Sequence, residues 1–441
     1  MTQTPMWLND ASNADFESAP VDDSAAQAKL STALKLILLT LFLPEAFSFF
    51  VFSLRLTVTR LLFLVFVPFV AVRFVAKISQ GNYRFVASDI FVPLSGFWMF
   101  LGPAVTHGVA NTVFHSGPIV LEYLMAYLTT RALLSGRGEA IAFVELLCVV
   151  IAFVVADALL DTVTGRYVTR EVAGQITGYQ KTWNVADGYR FGFLRAAGPI
   201  EHPILLGFVC ALGFLISVSA ISRFGRVCAV MSGLGVVIAF SSAPQQCLAI
   251  GIALLFYSRL FKEVPHKWLL LSLPPMLGAV VLIESTNSPF GHLFDYLTID
   301  PQTAYFRLYV WNVIGPAVVQ SPYFGAVDGS YDYGGSVDSL WLVLAMDYGI
   351  PCAILTGLSM IGSCSLPTSG PSVCLSDAEA KLGTILGIII FLIIFMGFTV
   401  DLWGTTWILV GLLVGVRAHL GELGHVNTEV ASDVVGNEFS D

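Results

Sequence analysis

Apolar windows of about 20 residues, the helix length that crosses a bilayer's hydrocarbon core, recur along most of this chain. Twelve stand out, at 32–52, 56–77, 87–107, 116–135, 139–161, 203–222, 226–241, 245–261, 266–284, 338–363, 381–400 and 403–419. Hydrophobic residues make up 56% of the chain, charged residues 12%, and mean hydropathy is +0.78. A soluble chain of 441 residues has no core able to hide that much apolar surface. The windows therefore predict an all-α polytopic membrane protein of about 12 transmembrane helices, because helices satisfy their own backbone within lipid.

The membrane domain is expected over 32–420. The tails at 1–31 and 421–441 carry charges of −4 and −5, the whole of the net −9, so the membrane body is neutral on balance. Both tails are acidic and poor in aromatics, which predicts disorder. Neither holds a basic run, so no nucleic-acid partner is expected. The first apolar window follows the acidic tail without a basic n-region or a cleavage site, so it is expected to stay as an anchor.

Loop charges set the orientation. With the N-terminus cytoplasmic, every cytoplasmic turn carries a basic residue: Lys77 and Arg84; Arg131 and Arg137; Arg223 and Arg226; Arg259, Lys262 and Lys267; Lys381; and Arg417. This positive-inside pattern puts both termini in the cytoplasm and two large loops, 162–202 and 285–337, on the outer face. The first of these carries Arg166, Arg170, Lys181, Arg190 and Arg195. They are either bystanders in a long loop or ligands for an anion, and the lone Arg307 in the other outer loop favours the anion.

Glu45, Arg60, Asp89, Glu122, Glu145 and Asp157 lie within windows. A charge at mid-bilayer costs about 2.5–3.5 kcal/mol on insertion scales, so these groups are expected to pair or to snorkel. No spaced carboxylate array and no clear internal repeat points to a transporter. Cys148, Cys210, Cys228, Cys247 and Cys352 sit in apolar runs, and Cys364 and Cys374 share one loop. With no C-x-x-C and no Cys/His spacing, the cysteines read as inert and no metal site is expected.

Three outer-face stretches hold chemistry-bearing side chains. In FRLYVW, Arg307 and Trp311 are four apart and share a helical face. Phe306, Val310, Val313 and Ala317 mark an adjoining apolar stripe, which reads as an amphipathic helix lying on the outer surface. Gly315-Pro316 and Ser321-Pro322 are expected to break it. Arg307 either snorkels or offers its guanidinium fork to a phosphate. In RFGFLRAAGPIEHPILLGF, Arg190 and Arg195 precede a Gly-Pro turn, and Pro203 suits the first turn of a helix. Glu201 and His202 then stand at that helix's mouth, as caps or as proton-transfer groups beside an anion clamped by the arginines. In GGSVDSLWLVLAMDYGIP, Asp338 and Ser339 open a helix. Asp338 is either an N-cap or a base placed to deprotonate a hydroxyl. Tyr305, Trp311 and Trp341 are aromatics suited to stacking on sugar rings or to sitting at the membrane interface.

Absent motifs narrow the chemistry. The chain has no Walker loop, no G-x-S-x-G and no H-E-x-x-H. Asp328 and Asp332 are spaced D-x-x-x-D, without an aspartate-rich triplet, which argues against a metal-dependent nucleotide-sugar enzyme. A lipid-diphosphate donor fits better, because arginines stabilise a departing diphosphate without a metal. No cofactor is expected.

These blocks resemble the O-antigen ligase and polysaccharide polymerase superfamily of bacterial membrane proteins. RAAGPIEHPILLGF is similar to that family's arginine-glycine-(His/Asn)-Pro entry to a central helix, and AFSSAPQQCLAIGIALL to its serine-containing helix junction. FRLYVWNVIGPAVVQSPYFGAVDGS and VDSLWLVLAMDYGIP resemble its R-x-x-x-W, hP-x-x-G and [HD]-[NS]-x-x-L…G blocks. The likeness spans roughly 115–415 in hydropathy and is specific over these blocks.

The resemblance implies a fold like the C-type membrane glycosyltransferases and a metal-independent, inverting glycosyltransferase of the bacterial inner membrane. Its substrate would be an undecaprenyl-diphosphate-linked glycan within the bilayer, with a flippase and a chain-length regulator as further partners. Arg195 and Arg307 match the family arginines that handle the diphosphate. Asp338 stands where ligases carry His and polymerases often carry Asp, which favours a polymerase for exopolysaccharide or O-antigen. Polymerases usually follow that Asp with Asn, whereas this chain has Ser339. The arginine that many relatives carry after the serine junction is also missing here, beside Ser242 and Gln245. The alternatives are a ligase that transfers glycan to lipid A core, and a non-enzymatic glycan or lipid transporter. Arg195, Arg307 and Asp338 are the candidate catalytic residues. Arg190, Glu201, His202, Tyr305, Trp311, Ser339 and Trp341 are the candidate substrate-binding ones.

Overall fold

The computed structural model describes residues 29–51, 54–81, 83–136, 138–179, 188–218, 224–264, 266–272, 301–325, 337–365 and 375–437. The expectations for Arg137, Lys181, Arg223, Asp328, Asp332, Cys374 and most of the ninth window fall outside these residues.

The described chain is nearly all helix. It runs α1 (Thr32–Leu41), a β1–β2 hairpin (Ser48–Val51 and Leu54–Thr57), α2 (Val58–Ser79), α3 (Ser88–His107), α4 (Val109–His115), α5 (Gly117–Leu133), α6 (Glu139–Thr164) and α7 (Val168–Thr177). A two-residue hairpin, β3 (Tyr189–Arg190) with β4 (Phe193–Leu194), follows. Then come α8 (Pro203–Val218), α9 (Gly225–Ile238), α10 (Ser242–Leu260), α11 (Pro301–Gln320), α12 (Leu340–Tyr348), α13 (Ile350–Ser363), α14 (Asp377–Met396) and α15 (Thr405–Asn437). Among the described residues five helices are long and apolar enough to cross a bilayer: α2, α3, α6, α14 and the Thr405–Leu423 part of α15.

Burial separates a lipid-facing layer from a centre. The apolar window of α2 is only 11% buried, with Leu61, Leu64, Val65, Val72 and Val75 exposed, whereas that of α15 is 94% buried. A helix that is apolar all round and stays exposed needs lipid as its solvent. The central helix α15 packs along α5, and α8 packs between α9 and α10.

Two expected spans are interrupted. The 32–52 window holds only the ten residues of α1 before the chain turns into the β1–β2 hairpin. Proline at 44 disfavours helical backbone at Leu43, and the helix stops at Leu41. In the hairpin Phe49, Phe50 and Val51 are exposed, while Arg55, opposite Phe50, pairs with Glu45 at 2.9 Å. The 338–363 window breaks at Gly349, which has φ +89°. A Cβ there would lie 2.1 Å from the carbonyl oxygen of Tyr323, so only glycine lets the two backbones cross.

Of the charges inside the windows, Glu45, Arg60, Asp89 and Glu122 find charged partners, while Asp157 accepts from Thr169 and Glu145 has no ion pair among the described residues. Arg60 Nε donates to Glu122 at 2.6 Å. Arg131 is wholly buried and donates to both oxygens of Asp89 at 2.9 Å and to Glu422 at 2.7 Å. Lys77 donates to Glu422 at 2.8 Å, and Tyr127 donates to Asp89 at 2.6 Å. This knot joins α2, α3, α5 and α15 at the end of the bundle where Lys77, Arg84, Arg131 and Arg417 gather. Removing one member of a buried pair strands the other, at a cost of about 3–5 kcal/mol. Arg131→Met should therefore lower the Tm of the detergent-solubilised protein by that equivalent. Arg166→Ala breaks only the exposed pair with Glu171 and should change stability by less than about 0.5 kcal/mol.

Candidate functional site

The other end of the bundle is built differently. α9 ends at Ile238, and its last carbonyls have no partner within the helix. They are taken up by the loop before α8. Ala196 N–H donates to Ile238 O at 3.0 Å, Arg195 Nε to Ala239 O at 3.3 Å, and Arg190 Nη1 to Phe240 O at 3.1 Å. Two cations at a helix C-terminus suit both its dipole and its orphan carbonyls. Phe240 itself has φ +43°, a costly backbone for a bulky residue. The arginine loop and the serine junction at Ser241–Ser242 thus form one unit.

The loop is held from below by α6 and α7. Asp161 accepts from the backbone N–H of Ala197 at 3.2 Å and of Gly198 at 2.7 Å. Arg170 donates to the carbonyls of Gly198 and Ile200. Of the basic residues expected on this side, Arg166 pairs with Glu171 in solvent and Arg170 staples the loop. Arg190 and Arg195 are the two left facing the site. Arg195 is buried, and its Nη2 has no hydrogen-bond partner among the described residues. Burial, and then repulsion from Arg190, push its pKa down to about 10.

α11 brings the second arginine. It runs unbroken through Gly315-Pro316, contrary to the expected break, and ends at Gln320 just before Ser321-Pro322. Its buried stripe is Val310, Ile314, Ala317 and Val318, and it packs on Leu342 and Ala345 of α12. Phe306, expected on that stripe, is exposed, and Val313 is only half-buried. Arg307 lies one turn before Val310 and Trp311, on the side that meets α12. It faces inward rather than snorkelling outward. Burial, then Arg190, lower its pKa, while Asp338 opposes that shift. Its buried Nε has no hydrogen-bond partner among the described residues. Arg195, Arg190, Arg307 and Asp338 therefore form a continuous line of electrostatic neighbours.

Asp338 is not the helix cap. Ser339 is: its Oγ accepts from Leu342 N–H at 3.4 Å and donates to Gly397 O at 3.1 Å. This leaves the half-buried Asp338 just outside the helix, its carboxylate beside Arg307. The indole N–H of Trp341 is taken by Ile394 O at 2.9 Å, so Ser339 and Trp341 lock α12 to α14. Trp311 stacks on Phe398 with ring centroids 6.4 Å apart, and Tyr305 is exposed on α11.

Next to Asp338 lies a cavity of about 350 Å³. Its wall is formed by the Glu45–Arg55 and Arg60–Glu122 pairs, Glu201, Leu340, Val343, Asp347, Asp401, Trp403 and Thr405, among others. The arginines 190, 195 and 307 are not in that wall. Asp401 connects the two regions, since it lines the cavity and also feels the charge of Asp338. Burial, then Asp347 and Asp338, raise its pKa to about 7. Glu201 is buried, and its Oε1 accepts from Thr405 N–H and Oγ, each at 2.9 Å, capping α15. Gly404, with φ +57°, has no room for a Cβ, which would sit 2.2 Å from that same oxygen. His202 Nδ1 accepts from Ile204 N–H at 3.2 Å, capping α8, and its ring faces Trp403.

Sequence reading missed Asp401. Its signal was an acid in FTVDLWG, in the two-residue gap between two apolar windows that looked like a bare turn. Among the described residues no group of three or more His, Cys, Asp or Glu side chains is arranged to hold a metal ion. No protein-family model matches the chain, and no curated protein is similar to it.

The raised pKa of Asp401 has a linkage consequence. The folded state keeps the proton that an unfolded Asp loses near pH 3.9. The stability this confers is complete below that pH and is lost as pH rises toward about 7. Thermal unfolding in detergent should show Tm falling across that window, and Asp401→Asn should flatten the fall.

Proposed function

We infer that the chain is a polysaccharide polymerase of the bacterial inner membrane, acting on lipid-diphosphate-linked glycan repeat units at the outer face. The observation that carries the reading is the meeting of Arg195, Arg190 and Arg307 with Asp338 at the end of the bundle away from the basic knot. Two of these arginines keep a buried N–H without a partner among the described residues. Buried donors are normally satisfied, and a diphosphate supplies acceptors of the right charge. The gathering of Lys77, Arg84, Arg131 and Arg417 at the opposite end fits a cytoplasmic location for that end. The number of spans belongs to the same reading. It counts about 12, with the shorter apolar helices joining the five long ones.

In the proposed reaction Arg195 and Arg307 hold the donor diphosphate, with Arg190 between them. The acceptor hydroxyl oxygen attacks the anomeric carbon, and the bond from that carbon to the diphosphate oxygen breaks. The electron pair leaves on the diphosphate, where the guanidinium groups stabilise it. The hydroxyl proton passes to Asp338, and a single displacement inverts the anomeric centre. The positive charge that a metal supplies in other transferases comes here from arginine.

Purified protein in lipid, given a lipid-linked repeat unit, should produce a ladder of longer glycans. Transfer to lipid A core in place of a ladder would make it a ligase, and neither product would remove the transferase reading. Asp338→Asn should lower kcat by about 10²–10⁴-fold. Arg307→Ala, expressed at normal level, should lose chain growth, and normal growth would dismiss its assignment.

A further inference from the structure

The cavity beside Asp401 has no part in gripping the diphosphate, yet it is built as a polar site. Glu201 is 6% exposed and lines the cavity, and its Oε2 has no hydrogen-bond partner among the described residues. Its other oxygen is fixed by Thr405, so the carboxyl cannot swing away to find one. Asp347 and Asp401 open into the same space.

The charge pattern narrows the ligand. Glu45 and Glu122 are neutralised by Arg55 and Arg60. Burial favours the protonated form of Glu201. Apart from Asp347 and Asp401 the wall is therefore close to neutral, and it offers both hydrogen-bond donors and acceptors. The acids are also not grouped as metal ligands. Most of the wall's surface is apolar, with Leu344, Leu402 and the Trp403 ring interleaved among the polar groups. A neutral polyhydroxylated ring has this same alternation of C–H faces and hydroxyls. The volume, near the lower limit of small-ligand pockets (about 300–1,000 Å³), suits one end of a glycan rather than a whole repeat unit.

We propose that this cavity is a saccharide-binding site that seats the sugar of the acceptor. Glu201 Oε2 would donate its proton to a sugar oxygen, Asp347 would accept from a sugar hydroxyl, and Trp403 would cover one ring face. The identity of the sugar as the acceptor rests on the transferase reading. Its attacking hydroxyl would then reach the Asp338–Asp401 side of the cavity.

The test separates the two. The probe is the phosphate-free oligosaccharide released by mild acid from the source cells' lipid-linked glycans. It is titrated against protein in lipid nanodiscs, with binding followed by saturation-transfer NMR, while chain growth is assayed in parallel. Val343→Trp fills the cavity and should raise the Kd by about tenfold or more. Asp347→Asn, the gentler change, should raise it by about threefold and carries the test should the tryptophan variant not fold. Arg307→Ala should leave saccharide binding intact. Unchanged binding in the cavity variants overturns the proposal. So does a wild type that makes chains but does not bind the oligosaccharide, and there the transferase reading survives. Wild-type binding that is lost in the cavity variants supports the site even without chain growth, and in that case the transferase reading alone falls.

Discussion

Charge removed from water has to be answered by charge from another segment, and the two ends of this bundle answer it differently. At one end Arg131 spends its guanidinium on Asp89, Glu422 and the carbonyl of Arg84. An arginine satisfied so fully is a fastener, because the surrounding helices cannot separate without stranding it. At the other end Arg195 is buried and Arg307 half-buried, and each keeps a buried donor without a partner among the described residues. The same residue type is structural where its donors are exhausted and available for a ligand where they are not. Arg417, further along α15, also keeps unanswered donors among the described residues, so it is the nearby Asp338 carboxylate, and not open donors alone, that sets the second end apart.

How much of this was legible beforehand depends on range. The apolar windows were read directly, because a lipid-facing helix such as α2 must be apolar at nearly every position. That Arg60, Asp89 and Glu122 would pair or snorkel followed from cost alone, whereas their partners, and the role of Arg131, did not. Breaks were harder. Pro44 stopped α1, and Gly349 split an apolar run because another strand of backbone crosses there. Pro316 failed to break α11, where packing of Val310, Ile314 and Val318 on α12 overrides the local penalty.

The site shows the same limit. Arg195, Arg307 and Asp338 could be singled out by their oddity in apolar surroundings. The sequence offered two roles for each, and geometry chose among some of them. Ser339 took the cap, which released Asp338 from that explanation. Trp341 spent its indole on Ile394 O. Asp401 was invisible because its importance comes only from neighbours far along the chain, Asp338 and Asp347, that are brought beside it by the fold.

Glu201 and Glu422 bracket the apolar Thr405–Leu423 part of α15. The first holds the start of α15 through Thr405, and the second, within α15, is tied to Lys77 and Arg131. Between them the rod is almost wholly buried. A rod pinned at both ends can neither slide nor tilt without breaking a buried charge contact, so it acts as the stator of the molecule. Any rearrangement of the bundle must come from parts without such pins. α11 is the element that fits, since among the described residues its holds are a small apolar patch on α12 and the Trp311–Phe398 contact, with no ion pair. Because Arg307 rides on that helix, any shift of α11 along α12 would carry its guanidinium away from Asp338.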